Sequence, residues 1–229
     1  GGARGPRNLS AEGGGAGLIA AMEKAAQAAG VEILTGTRAQ ELTFVDGRVT
    51  GLRADCADGT VLDVQAQYVL LATGGYGNER ALLPDSVEDV VFYGPVCLTG
   101  DGQKMAQAVG AQLVSMDKVA VKPNGLDMGK GTGRYTQPAN NEMFKTAGGI
   151  FVSKDGVRVV NEQGSEAQII AAMRAQSDHS VYTVMDKAAF DVFKAAGIAR
   201  HLFSEADVDA WIAADGSVAP VFVQHTTLA

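Results

Sequence analysis

The chain has 229 residues, 46% of them hydrophobic, with 19 Lys and Arg against 26 Asp and Glu for a formal net charge of -7. This length holds one large or two smaller globular units, and no apolar run approaches the ~20 residues that a membrane-spanning helix requires. The acidic balance, without any Lys/Arg-rich run, excludes an electrostatic nucleic-acid surface, because phosphate neutralisation needs clustered cations.

Residues 1–15 are Gly-rich and polar. Residues 16–29 set Leu18, Ile19, Met22, Ala26 and Ala29 on one helical face with Gly30 as a stop, which predicts a core-facing helix. Residues 31–34 read as a short strand. Asp46-Gly47 and Asp58-Gly59 lie between β-branched or alternating runs at 48–52 and 60–64, so a small antiparallel meander is predicted. It leads into an apolar strand over 68–72 that ends in Ala72-Thr73-Gly74-Gly75. A glycine pair at the end of a buried strand lets a ligand or a second strand approach bare backbone. A second glycine turn, Thr99-Gly100-Asp101-Gly102, precedes a helix over 103–109 that Gly110 ends. Asp101 suits the N-cap of that helix, and the same turn offers N–H groups to a bound anion; the two roles are compatible.

From about residue 116 the character changes. Residues 122–140 are rich in Gly, Lys, Asn and Pro without periodicity, which marks a long functional loop or a domain junction. Asp155-Gly156 between the runs 150–153 and 157–160 predicts a third hairpin, 166–176 a helix and 180–185 a strand, with two more helices after it. The second half therefore reads as α+β. Cys56 and Cys97 lack paired spacing and read as buried or half-buried thiols. His179, His201 and His225 lack ligand spacing, and no Ser-His-Asp arrangement is legible, so metal and hydrolase chemistry are set aside. The Gly1-Gly2 start without Met and the end at Ala229 read as a piece of a longer protein, which leaves the compartment unassigned.

These motifs, in this order, resemble the flavoprotein subunits of the fumarate reductase and succinate dehydrogenase family, especially the soluble flavocytochrome-type fumarate reductases and relatives acting on other activated alkenes. The resemblance runs from the Gly-rich lead and its helix through 31–39, Ala72-Thr73-Gly74-Gly75 and Thr99-Gly100-Asp101-Gly102, then through 149–162 to 180–186. It implies an α/β fold with an α+β cap: a partial two-layer FAD-binding βα domain at 1–117 and a partial capping domain at 118–229. FAD is the implied cofactor and a small molecule the implied substrate, with an electron donor of unknown type, no nucleic acid and no membrane span. The family's Gly-x-Gly-x-x-Gly fingerprint between its first strand and helix is not among these residues, nor is the return segment with a substrate-binding His and Arg. The piece alone is thus expected to bind FAD weakly.

By the same resemblance, Ala39 falls where backbone meets the adenosine part of FAD, Thr73 and Gly74 lie against the cofactor, and Asp101 contacts it from the helix start. Glu142 falls at a glutamate that helps hold substrate and begins a proton-delivery chain, and Lys145 at an arginine of that chain; a solvated surface pair is the competing possibility. Lys122 replaces a histidine that touches a substrate carboxylate and offers a point charge there. The largest departure is Glu166, at the position of the arginine that protonates substrate, where an anion repels a dicarboxylate. The implied activity is reduction of a carbon–carbon double bond conjugated to a carbonyl or carboxylate, on a substrate other than fumarate. A dehydrogenase acting on a steroid-like or other hydrophobic ketone and a non-catalytic fragment or paralogue are the alternatives. Arg134, Tyr135 and Arg174 offer a cation or an acid nearby, without an assigned role, and Arg158 and Asn161 are expected to set the hairpin.

Overall fold

The structure, a computed structural model, describes residues 12–123 and 125–225. The first part of the Gly-rich lead, up to residue 11, and residues 226–229 lie outside the described residues. The chain divides into two compact units, one up to Leu70 and the other from Leu71 onward. The boundary expected near residue 117 falls inside the second unit.

In the first unit, helix α1 (Gly14–Ala28) is followed by strands β1 (Thr37–Val45), β2 (Arg48–Cys56) and β3 (Val61–Gln65) in an antiparallel meander of order β1-β2-β3. The β1–β2 turn is Asp46-Gly47 with φ of 48° and 79°, the left-handed pair that two-residue hairpins need to match strand twist. At the second turn the Asp58 carboxylate accepts from the Thr60 N–H at 2.9 Å, an Asx turn. Arg53 on β2 reaches Asp63 on β3 at 2.9 Å and Glu41 on β1 at 3.2 Å, tying the three strands on one face.

Two expectations for this unit are corrected. The apolar face of α1 is not buried among the described residues: Leu18, Ile19 and Met22 are 52–62% exposed. Residues 31–34 and 68–72 are not strands. A strand exists by virtue of a partner's hydrogen bonds, and neither segment pairs with a strand among the described residues. Tyr68 and Leu70 are 88% and 90% exposed.

The second unit holds α2 (Asp101–Ala108), the hairpin β4 (Gly125–Asp127) and β5 (Gly133–Tyr135), α3 (Gln137–Thr146), β6 (Ile150–Val152), α4 (Glu166–Arg174), β7 (Tyr182–Val184), α5 (Lys187–Ala199) and α6 (Glu205–Ala213). The aperiodic stretch 122–140 is therefore not a loop throughout, since it carries a hairpin and the start of α3, whose first turn takes Pro138. Its short strands leave no periodic signal. The turn at Asp155-Gly156 closes with Gly156 N donating to Ser153 O and Val157 O accepting from Ser153 N. Beyond it the expected hairpin reduces to one bridge, Val152 to Arg158, because β6 pairs instead with β7 in antiparallel register, Phe151 opposite Thr183. Arg158 and Asn161, expected to set that hairpin, instead shape the corner after it: Arg158 pairs with Glu162, and the Asn161 side chain accepts from Gln163 N at 3.0 Å.

The core of this unit lies where α3 packs on α5 and α5 meets α6: Met143 and Val208 are fully buried and Phe193 nearly so. Aromatic rings run through it from Phe193 to Phe203, Trp211 and Phe222, with centroids 5.2–5.4 Å apart. Burying rings in offset and edge contacts adds to the apolar area removed from water. Helices α4 and α6 begin at capping boxes, Ser165 with Gln168 and Ser204 with Asp207, and α5 at the Asp186 N-cap.

Candidate functional site

The two glycine turns singled out in the sequence meet in the second unit. Gly75 O accepts from Gly100 N at 3.3 Å, Leu98 O accepts from Asn78 N at 2.9 Å, and the Gln103 side chain donates to Gly74 O at 3.2 Å. The approach is close enough that a Cβ on Gly102 would overlap the Thr73 side chain. Thr73, Gly74 and Asp101 are thus brought to one crossing of bare backbone at the start of α2. Asp101 is not the N-cap, a correction: Gly100 takes that place with φ 70°, and Asp101 is the first helical residue, its carboxylate accepting from Thr99 Oγ1 at 2.9 Å. Only glycine enters this left-handed cap without strain, so the cap falls to it. Gln103 Oε1 is buried at the crossing without a hydrogen-bond partner. Ala39 belongs to the first unit, where it pairs with Ala54 on β2 next to an irregularity in the β1 register at Gln40.

A second cluster forms around α3 and α4. Lys122 Nζ lies 2.7 Å from Glu166 Oε2, and the buried Gln137 donates from Nε2 to Glu166 Oε1 at 2.7 Å. Gln137 Oε1 in turn accepts from the Tyr135 hydroxyl at 3.0 Å. Tyr135 stacks on Tyr93, centroids 5.3 Å apart and planes 18° from parallel. The stacking follows from the backbone: residues 92 and 132 form a parallel bridge and Phe92 O accepts from Gly133 N at 2.8 Å, which lays the 91–93 segment beside β5. The Lys122 ammonium, then the Gln137 amide, hold the Glu166 carboxyl below the ordinary carboxylate range, and Glu166 in turn raises Lys122. Burial pushes the Tyr93 phenol up; Tyr135 and Glu166 add to the rise and Lys122 opposes it.

Glu142 and Lys145 do not meet. Glu142 faces Arg200 Nη2 at 3.6 Å, and Lys145 is exposed near the end of α3. The two arginines considered as substitutes for the missing cation are engaged elsewhere. Arg134 binds Asp207 at 3.0 Å and lies over the Trp211 ring at 5.5 Å, pinning β5 to α6. Arg174 binds Asp89 at 2.8 Å and Ser86 O at 2.6 Å, with the His179 ring 3.6 Å from Asp89. Sequence reasoning missed Tyr93 and Gln137. Gln137 stands 29 positions from Glu166, so no local pattern could have joined them. Among the described residues no group of three or more His, Cys, Asp or Glu side chains forms a metal set, and no helix is long and apolar enough to cross a membrane.

The family model for an FAD binding domain matches residues 2–224. The chain is 30% identical over 193 residues to urocanate reductase of Eggerthella lenta, covering 81% of this chain and 31% of that protein. It is 27% identical over 186 residues to NADH:fumarate oxidoreductase of Klebsiella pneumoniae (strain 342), covering 80% of this chain and 19% of that protein. A flavocytochrome c3 fumarate reductase in its open conformation superimposes with a TM-score of 0.69 at 25% identity, over 88% of this chain and 35% of that one. The chain thus spans less than a third of the length of the two relatives. At the crossing the room beside Gly74, Gly100 and Gly102 is taken by Leu98, Leu82 and Thr73, so what suits part of a dinucleotide there is the chemistry of the Asp101 carboxylate, an acceptor for a ribose or ribityl hydroxyl rather than a partner for a phosphate. The match over residues 2–224, with an α/β fold shared with a flavocytochrome fumarate reductase, means that the chain belongs to the FAD-binding, fumarate reductase-like family of flavoproteins.

Proposed function

We propose that the full-length protein is an FAD-dependent oxidoreductase that reduces a carbon–carbon double bond conjugated to a carbonyl or carboxylate, with a substrate other than fumarate. The observation that carries the second half is the Lys122–Glu166 ion pair. Lys122 stands at the position of a substrate-touching histidine and Glu166 at that of the proton-donating arginine, so the two positions that handle a dicarboxylate in the fumarate reductases neutralise each other here. FAD, when bound, supplies the hydride. Thr73, Gly74 and Asp101 would hold the cofactor in the second unit; the role of Ala39, in the first, is carried by the resemblance alone. Glu142, whose carboxylate lies 3.6 Å from Arg200 Nη2, is with Lys145 one turn further along α3 a candidate for delivering a proton to the substrate side.

The same pair favours a second possibility, a dehydrogenase acting on a hydrophobic ketone, since a neutralised pair tolerates an uncharged substrate. One experiment separates the two. The full-length, FAD-loaded protein is assayed with reduced methyl viologen against fumarate and neutral conjugated alkenes, and with an artificial acceptor against saturated ketones. Reduction of a neutral alkene well above fumarate supports the reductase; brisk fumarate reduction sinks the specificity claim; activity only with acceptor and ketone transfers the function to the dehydrogenase.

A further inference from the structure

We infer that Lys122, Glu166, Gln137 and Tyr135 form one oriented hydrogen-bond chain whose outcome is an acceptor: the Tyr135 hydroxyl oxygen, on the stacked Tyr93–Tyr135 pair, receives a hydroxyl or N–H group of a flat, uncharged substrate. The inference rests on the proposed reductase activity for the word substrate, and on the geometry for the rest.

The orientation follows from chemistry link by link. An ionised carboxylate accepts and never donates. With Lys122 at 2.7 Å keeping Glu166 ionised, the Gln137 amide must turn its NH2 toward Glu166, at 2.7 Å. Gln137 is 7% exposed, and with its NH2 on Glu166 its carbonyl oxygen is left facing Tyr135. The Tyr135 hydroxyl has a single hydrogen, and it is committed to that carbonyl at 3.0 Å. What Tyr135 still offers is lone pairs. A ligand carboxylate, which also only accepts, finds no donor on Tyr135, and the charge of the nearest cation, Lys122, is offset by Glu166. A hydroxyl or N–H does find a partner, and the parallel tyrosine rings favour a planar group beside it. Lys122 and Glu166 are therefore positioning residues, acting through Gln137 on the direction in which Tyr135 bonds.

The test uses the full-length, FAD-loaded protein and the absorbance change of its oxidised flavin on titration with methyl 4-hydroxycinnamate, methyl cinnamate and fumarate. The hydroxylated ester is expected to bind about ten-fold tighter than its parent ester, the size of one good hydrogen bond. Tyr135→Phe should erase the preference. Glu166→Gln should reduce it severalfold without removing the tyrosine, because an amide at 166 lets Gln137 turn either way; as a change at a half-exposed position it also serves if Tyr135→Phe fails to fold. Equal binding of the two esters, no binding of either, or a preference that survives both variants overturns the inference. Turnover is scored separately with reduced methyl viologen. Esters that bind with the hydroxyl preference yet are never reduced defeat the reductase and leave the oriented chain standing, while reduction without the preference does the reverse.

Discussion

Lys122 Nζ and Glu166 Oε2 are 2.7 Å apart, so the two residues that the resemblance sets where fumarate reductases carry a histidine and an arginine are each other's partner. Taken singly, a lysine for a histidine and a glutamate for an arginine look like two losses. Taken together they keep the site near neutral. Glu166→Arg alone would set two cations side by side, which costs binding of the arrangement and supplies no oriented acid. Fumarate turnover by the full-length protein with reduced methyl viologen is expected to stay at its starting level in Glu166→Arg. It should rise only when Lys122→His accompanies it, and full recovery from the single change would mean that the pair is irrelevant to specificity.

Glu162 is the buried charge on which the β6 corner depends. Its Oε1 accepts from Phe151 N at 2.9 Å, and Arg158 clasps both oxygens at 3.1 and 2.6 Å. Burial alone would raise this carboxyl, but Arg158 and the Phe151 N–H outweigh burial and hold it below the ordinary range. Glu162→Gln is expected to cost about 1.5–3 kcal/mol, the range for hydrogen bonds to a charged group. Because the folded value is lowered, the stabilisation is fully present above the ordinary glutamate value near about 4.3 and is lost as pH falls through the folded value. Urea melts of the two proteins should therefore differ by a constant amount at neutral pH and converge in acid; a gap that widens on acidification would contradict the assignment.

Asp101 occupies the first turn of α2 rather than its cap. Asp101→Ala should accordingly lose about 0.3–1 kcal/mol, the dipole contribution, instead of a full capping loss. Flavin retention through dialysis of the full-length protein is the discriminating measurement. A drop in FAD occupancy larger than the change in melting temperature supports a cofactor contact, whereas full occupancy reduces Asp101 to helix chemistry.

Gly102→Ala places a methyl group into the Thr73 side chain at the crossing. Overpacking of this kind costs about 1–3 kcal/mol, and the double variant Gly102→Ala with Thr73→Gly should recover most of it because the obstructing atoms are gone. Calorimetry of the four proteins reads the coupling; additive losses would show that the two turns are not in contact.

Features written in a few adjacent residues were legible in the sequence. Asp46-Gly47 dictated its own turn, and residues 166–176 foretold α4, which the Ser165 cap starts. Partner-dependent features were not. Residues 31–34 and 68–72 carry the composition of strands, yet composition cannot supply the second strand. The glycine turns were recognised one at a time, but their crossing depends on a contact between positions such as 74 and 103. Likewise Glu166 was legible as a departure, and its meaning changed once Lys122 was found against it. The charge at a position says little until the opposite charge is located.

Helix α4 has Glu166 at one end and Arg174 at the other. Arg174 is fastened to Ser86 O and Asp89, in a loop that Arg80 girds by donating to the carbonyls of Val87, Glu88 and Val90. A nine-residue helix is a stiff rod of about 13 Å, so the fastening at its far end sets the angle at which Glu166 reaches Lys122. Loosening a bolt at Asp89 would tilt the rod and slacken a hydrogen bond that Asp89 never touches.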